Sequence, residues 1–253
     1  MAIGLISLPI TGQNLDFIGI IPTLSQTGRI SQRFNYNFFI SETIDAFNKS
    51  TREIKYPASN LQLYIQPSII YVHSPNLNFA ASLTYNYQKS NPDVPFFKEW
   101  RPWEQVIYAH NLSYGRMSHR LRFEERLIKN EETGKWPMTT RLRYQIAFNI
   151  PLNGKTLEDN EFYFNCYNEF YFTLTVPEGQ IRNALYSEDW AYAGVGYQLP
   201  RLGRIEVGPL FQFNVRDRQQ DLRNLYLLQV AWITNFNFNP NLWNRIFQKA
   251  PKS

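Results

Sequence analysis

The strongest constraint on the fold lies between His119 and Ile150. In its first half Arg120, Arg122, Glu124 and Arg126 alternate with Leu121, Phe123 and Leu127, with Glu125 interrupting the apolar row. After a polar loop, Arg141, Arg143 and Gln145 alternate with Leu142, Tyr144, Ile146 and Phe148. A strict period of two puts one row on each face of a strand. One face of this pair is apolar, and the other carries guanidinium groups and a carboxylate. A soluble sandwich could turn such a charged face to water. A transmembrane barrel would turn it into the lumen and give the apolar row to lipid.

The same alternation recurs along the chain. Phe34, Tyr36, Phe38 and Ile40 oppose Asn35 and Asn37, and Phe79, Ala81, Leu83 and Tyr85 oppose Asn78, Ser82 and Thr84. Later, Phe162, Phe164, Phe170 and Phe172 oppose Tyr163, Asn165, Glu169 and Tyr171, and Ile205, Val207, Phe211 and Phe213 oppose Glu206 and Gln212. Residues 42–59, 89–100, 129–137 and 176–189 read as long loops. Residues 73–76, the turn at Gly115, residues 151–160 and residues 200–203 read as turns between them. This alternation of long and short connections is the pattern of extracellular loops and periplasmic turns. The patterned segments number about eleven. Bacterial single-chain barrels have even strand numbers, so the expected count is about twelve, with ten as the alternative.

Composition agrees with this reading. The 253 residues include 16 Tyr, 19 Phe and 6 Trp, residues that favour strands and membrane interfaces. No apolar run approaches the roughly 18 residues of a spanning helix. Residues 1–13 are either a residual signal segment without a basic start or a first strand. Cys166 is the only cysteine and alternates with Phe162 and Phe164, which marks it as a small apolar residue. The net charge of +5 is spread among carboxylates, so nucleic acid is not indicated as a partner. No glycine-rich phosphate loop appears, and no cofactor is implied.

The ordered motifs resemble a known family. They are Arg101, Pro102, Trp103, Glu104 and Gln105; Arg120 to Arg126; Arg141, Leu142, Arg143 and Tyr144; Asn168, Glu169 and Phe170; and Ala193, Gly194, Val195, Gly196 and Tyr197. In this order and spacing the chain is similar to the domain-of-unknown-function family 2490 of outer-membrane proteins, over residues 14–238. The family's tryptophan near the mature N-terminus has no counterpart here. The resemblance implies a Gram-negative outer-membrane location and no established activity.

The expected architecture is therefore all-β: a single antiparallel, up-and-down transmembrane barrel over residues 14–238, with a periplasmic tail at 239–253. Its lumen would collect Arg101, Gln105, Arg120, Arg122, Glu124, Arg126, Arg141, Arg143, Glu169 and Glu206. Charges on neighbouring strands of one face lie within pairing distance. The row is thus either an internal polar core or, because arginines outnumber carboxylates, a porin-like constriction selective for anions. Phe236 and Phe238 resemble the aromatic end of a last strand, read by the barrel-assembly machinery. In the tail, Leu242, Trp243, Ile246 and Phe247 have helical spacing that would suit a periplasmic or outer-membrane protein partner. The remaining partner is outer-membrane lipid.

Other readings carry less chemistry. His110 and His119 flank a turn containing Ser113 and Ser118, the types a lipid-hydrolysing barrel would use, but on the periplasmic side. Two histidines without cysteines or a clear carboxylate partner make a poor metal site. A soluble β-barrel or sandwich that binds a small molecule is the remaining alternative.

Overall fold

The computed structural model describes residues 14–47, 49–51, 54–56, 58–89, 95–178, 184–215 and 222–236. Among the described residues thirteen strands form: β1 (Asn14–Arg29), β2 (Phe34–Asp45), β3 (Lys49–Thr51), β4 (Ile54–Tyr56), β5 (Ser59–Val72), β6 (Leu77–Gln88), β7 (Phe97–Asn111), β8 (Arg116–Ile128), β9 (Met138–Pro151), β10 (Phe162–Thr175), β11 (Tyr186–Leu199), β12 (Gly203–Val215) and β13 (Leu222–Thr234). Eleven of them close into a barrel in the order β1-β13-β12-β11-β10-β9-β8-β7-β6-β5-β2, and β3 and β4 pair separately as a short ribbon.

The count is eleven rather than twelve, and this changes the closure. In a closed meander with an odd number of strands, the first and last run in the same direction. β1 and β13 accordingly pair in parallel, from Asn14 opposite Leu222 to Gln26 opposite Thr234. The other pairings in the barrel are antiparallel. As a result β1 begins at the end with the long connections and β13 finishes at the end with the short turns.

The sequence boundaries were too tight. Barrel strands run from 12 to 16 residues, beyond the roughly ten that would span a bilayer. β2 continues through Ser41, Thr43 and Asp45, all buried, where polar composition reads as loop. β7 starts at Phe97, which brings Glu99 into register with Arg101, Trp103 and Gln105 on the inner face. The turn between β9 and β10 spans residues 152–161 and is as long as a connection at the opposite end. The β7–β8 turn closes with the Leu112 amide donating to the Gly115 carbonyl at 3.0 Å. Gly115 has φ +83° and sits against the Asn149 carbonyl, so a side chain there meets both backbone strain and a clash.

The outer face is mainly apolar. Ile18, Ile20, Phe38, Ile69, Leu83, Val106, Leu121, Val195, Val207, Leu228 and Val230 are all exposed. Aromatic pairs stand near both ends of this band. Tyr71 with Phe79 and Phe162 with Tyr197 lie toward the short turns. Tyr85 with Trp100 and Tyr186 with Phe213 lie toward the long connections. Glu104 interrupts the band in the middle of β7, beside a shallow groove lined by Ile69, Phe79, Ala81, Leu121 and Phe123.

The interior has two unlike halves. Phe17 and Ile21 of β1, Leu225 and Leu227 of β13, Leu210, Tyr192 and Leu61 form a buried apolar cluster. The inner faces of β7 to β10 are charged. On β1 and β13 the inner row carries Phe17, Ile21, Leu225 and Leu227, so apolar side chains occupy both faces over this stretch.

Candidate functional site

The charged half of the lumen is built on three buried carboxylates from different strands. Glu99, fully buried on β7, accepts Arg101 Nε at 2.8 Å and Arg126 Nε and Nη2 at 2.6 and 3.0 Å. Asn86 and Gln88 of β6 complete its shell at 3.0 and 2.9 Å. Glu124 on β8 accepts Arg141 Nε and Nη2 at 2.9 and 2.7 Å and Arg143 Nη1 at 2.5 Å. Glu169 on β10 accepts Arg143 Nε and Nη2, each at 2.9 Å, Arg120 Nη2 at 2.7 Å and the Tyr171 hydroxyl at 3.1 Å. Period-two spacing places these partners on one face, and antiparallel register sets them side by side: Glu124 lies opposite Arg141, and Arg122 opposite Arg143. A carboxylate sealed from water needs this many N–H donors to replace its hydration.

Two further carboxylates extend the network. Glu188 accepts Arg141 Nη1 at 2.8 Å and Trp190 Nε1 at 2.6 Å. Glu206 accepts the Tyr163 hydroxyl at 2.7 Å and Asn165 Nδ2 at 2.8 Å, with Arg204 Nε at 3.7 Å. Tyr171 packs beneath both Arg141 and Arg143, its ring centre 4.6 and 4.4 Å from their guanidinium carbons.

Arg122 differs from the other inward arginines of β7, β8 and β9. Its Nε and Nη1 donate to the neutral amide oxygens of Gln105 and Gln66 at 2.8 and 3.2 Å. The carboxylate of Glu124 stands 3.7 Å from its Nη1, outside hydrogen-bond distance. The guanidinium lies over the Trp103 indole at 3.9 Å, and Trp103 is itself held by Thr84 at 2.9 Å.

A cavity of about 450 Å³ remains beside this network. Lys89, Arg101, Arg120, Arg122, Arg126, Arg141, Arg143 and Arg223 line it, with Glu169, Glu188 and Glu206 as its carboxylates. The rest of its lining mixes side-chain amides and hydroxyls, among them Gln62, Gln145, Asn165 and Gln229, with apolar Ile21, Phe39, Leu61, Leu225, Ala231 and Ile233. In the strand order β8 is separated from β1 by four strands on one side and by five on the other. Arg120 and Arg122 thus face the β1–β13 seam across the full width of the barrel.

All ten lumen residues singled out in the sequence lie on the inner faces of β7 to β10 and β12. The structure brings nine into the ion-paired and amide-linked set around Glu99, Glu124 and Glu169, whereas Glu206 holds a separate position with Tyr163 and Asn165. Glu99 and Glu188 were missed because each falls in a segment read as loop. Extending the alternation of Arg101, Trp103 and Gln105 by one step would have found Glu99. Gln66, Trp103 and Tyr171 carry no charge pattern that singles them out.

The remaining candidates sit elsewhere. His110 and His119 project from the outer face and stack at 6.0 Å, and His119 Nδ1 pairs with the Tyr144 hydroxyl at 2.8 Å. Among the described residues no serine hydroxyl is hydrogen-bonded to either ring, and no cluster of three or more His, Cys, Asp or Glu side chains could hold a metal ion. His73 packs against Tyr71 and Phe79, and Cys166 is a half-buried free thiol on the outer face. The carbonyl of Phe236 accepts Gln26 Nε2 at 2.9 Å and the Tyr36 hydroxyl at 3.3 Å. Phe238, the N-terminal segment 1–13 and the tail 239–253 lie outside the described residues.

These features define a closed β-barrel with an apolar exterior and an ion-paired interior. The chain belongs to the family described as "Protein of unknown function (DUF2490)", whose model matches residues 23–223. No curated protein and no solved structure matches it.

Proposed function

We propose that the chain is an outer-membrane barrel of Gram-negative bacteria, a structural or accessory membrane component with a narrow, arginine-rich interior. The observation that carries this reading is the band of exposed, mainly Ile, Leu, Val and Phe side chains around a charged interior, broken at Glu104 and at the Asn168–Asp189 pair. A soluble monomer rarely exposes so large a contiguous apolar surface. Aromatic pairs near both ends of the band support the same reading, since Tyr and Trp favour the two interfaces of a bilayer. The Glu99, Glu124 and Glu169 clusters fill much of one side of the lumen, which argues against a wide, water-filled porin channel.

Membrane fractionation of the full chain, together with its mobility in detergent gels before and after boiling, tests this. A membrane-bound, heat-shifted species is expected; a fully soluble protein would sink the proposal. A second reading, a narrow anion-selective path, is favoured by the excess of arginines over carboxylates on the cavity surface. Planar-bilayer recording distinguishes the two, because only the second predicts a conductance that changes on replacing Arg122 or Arg143.

A further inference from the structure

The cavity beside the arginine wall has two properties that a solvent-filled void would not need. The first is charge. Its surface is strongly cationic, and Arg122 reaches it with amide oxygens as its only hydrogen-bond acceptors among the described residues. A buried guanidinium without a directly bonded carboxylate is the group in this lumen best placed to gain from an external anion. The second property is the opposite wall. Ile21, Leu61, Leu225 and Ala231 line the same cavity from around the β1–β13 seam, interleaved with Thr23, Ser25 and Gln229, and the strand order places this wall across the barrel from Arg122. Water against these side chains gains little, whereas an alkyl chain would be transferred from water to an apolar surface.

From this pairing of surfaces we infer that the lumen is a binding site for a single-chain amphipathic anion, with its head at Arg122 and Arg120 and its alkyl chain along the seam. The volume of about 450 Å³ lies within the range of about 300–1,000 Å³ usual for small-molecule sites. The same chemistry would take a carboxylate or a phosphate monoester head, because a guanidinium recognises both through paired N–H donors. The inference rests on the charged interior of the barrel and is independent of where the barrel resides. It assigns the cavity a ligand, whereas the second functional reading assigns it a flow of ions.

Equilibrium dialysis of the purified full chain, held in an amphipathic polymer free of detergent, tests it. Decanoate and decyl phosphate are the probes, with decanol and acetate as controls for chain alone and charge alone. At least one of the two amphipathic anions is expected to bind at one per chain, about tenfold or more tighter than either control. The tighter of the two identifies the head group. Arg122→Gln should weaken that binding about tenfold or more, while bringing it down toward the affinity for decanol. Because Arg122 is buried, a second variant, Thr23→Phe, fills the cavity from β1 without removing a charge and should also abolish binding. Both variants are checked for the heat-dependent gel shift of the closed barrel. Equal binding of decanol and decanoate, equal binding of acetate and decanoate, or no binding of either anion by the folded protein would overturn the inference. A protein that proves soluble but binds decanoate as described would reject the membrane proposal and leave this site standing.

Discussion

Arg143 and Glu169 meet diagonally across the β9–β10 pair, where Arg143 lies opposite Tyr171 and Glu169 opposite Gln145, with Nε and Nη2 each donating to a different carboxylate oxygen at 2.9 Å. The same guanidinium reaches back across the β8–β9 pair to Glu124. One side chain therefore ties three consecutive strands together inside the barrel. Removing Glu169 would leave the buried Arg143 and the half-buried Arg120 short of acceptors. Glu169→Ala is expected to destabilise the folded barrel by about 3–5 kcal/mol, the usual loss when one partner of a buried pair is deleted. Urea unfolding followed by tryptophan fluorescence measures this. An unchanged midpoint would show that the pair is dispensable. The exposed Lys129–Glu131 pair is the control, and Glu131→Ala should leave the midpoint where it is.

Arg122 is expected to behave differently from Arg143. It gives its hydrogen bonds to two amides, and Arg122→Gln removes a charge that meets a carboxylate, Glu124, only at 3.7 Å and without a hydrogen bond. The cost should be about 1–2 kcal/mol, from lost amide bonds and lost stacking on Trp103. Arg143→Gln should cost more, because Glu124 and Glu169 both lose donors. The order of the two unfolding midpoints is the readout, and the reverse order would contradict the partner assignments.

Glu104 faces outward at mid-height on β7 and has no ion-pair partner among the described residues. If the outer face meets hydrocarbon, Glu104→Leu should raise stability in lipid bilayers by about 1 kcal/mol or more, below the roughly 2–4 kcal/mol cost of a basic residue at the midplane. The same substitution should have little effect if this face meets water. Denaturant titration in vesicles makes the comparison, and a loss of stability there would count against the lipid-facing assignment.

Gly115 closes the β7–β8 turn at positive φ, against the Asn149 carbonyl. Gly115→Ala combines an unfavourable backbone conformation with a contact that must shift, and should cost about 1–3 kcal/mol. Gly134 also has positive φ but faces open space. Gly134→Ala should therefore cost about 1 kcal/mol, from the backbone alone. Comparing the two unfolding midpoints separates strain from crowding.

The arginine wall is legible in the sequence because three properties coincide there: strict alternation, charges of both signs on one row, and neighbouring strands that are consecutive in the chain. Where one of these failed, so did the reading. Glu99 falls at the end of a proline-containing stretch that reads as loop through residue 100, past the start of β7 at Phe97. Glu188 lies behind a polar run that resembles loop. The apolar half of the lumen gave no signal at all, because Phe17, Ile21, Leu225 and Leu227 alternate with residues that are also apolar and no row stands out as inward. Strand parity was hidden for a different reason. It is a property of closure between residues some 200 positions apart, and no local pattern records it.

The parallel seam sets an order on how this molecule must assemble. Neighbours on β7, β8, β9 and β10 are joined through nearby residues, so their ion pairs can form as soon as that stretch of chain is available. Gln26 and Thr234 are separated by 208 residues, so the seam closes only after almost the whole chain is present. Contacts at such separation carry the largest loop-closure cost and arrive late. The barrel thus has a charged staple that acts early and an apolar zip that acts last. A chain interrupted before residue 222 would hold its arginines in place and still be an open sheet.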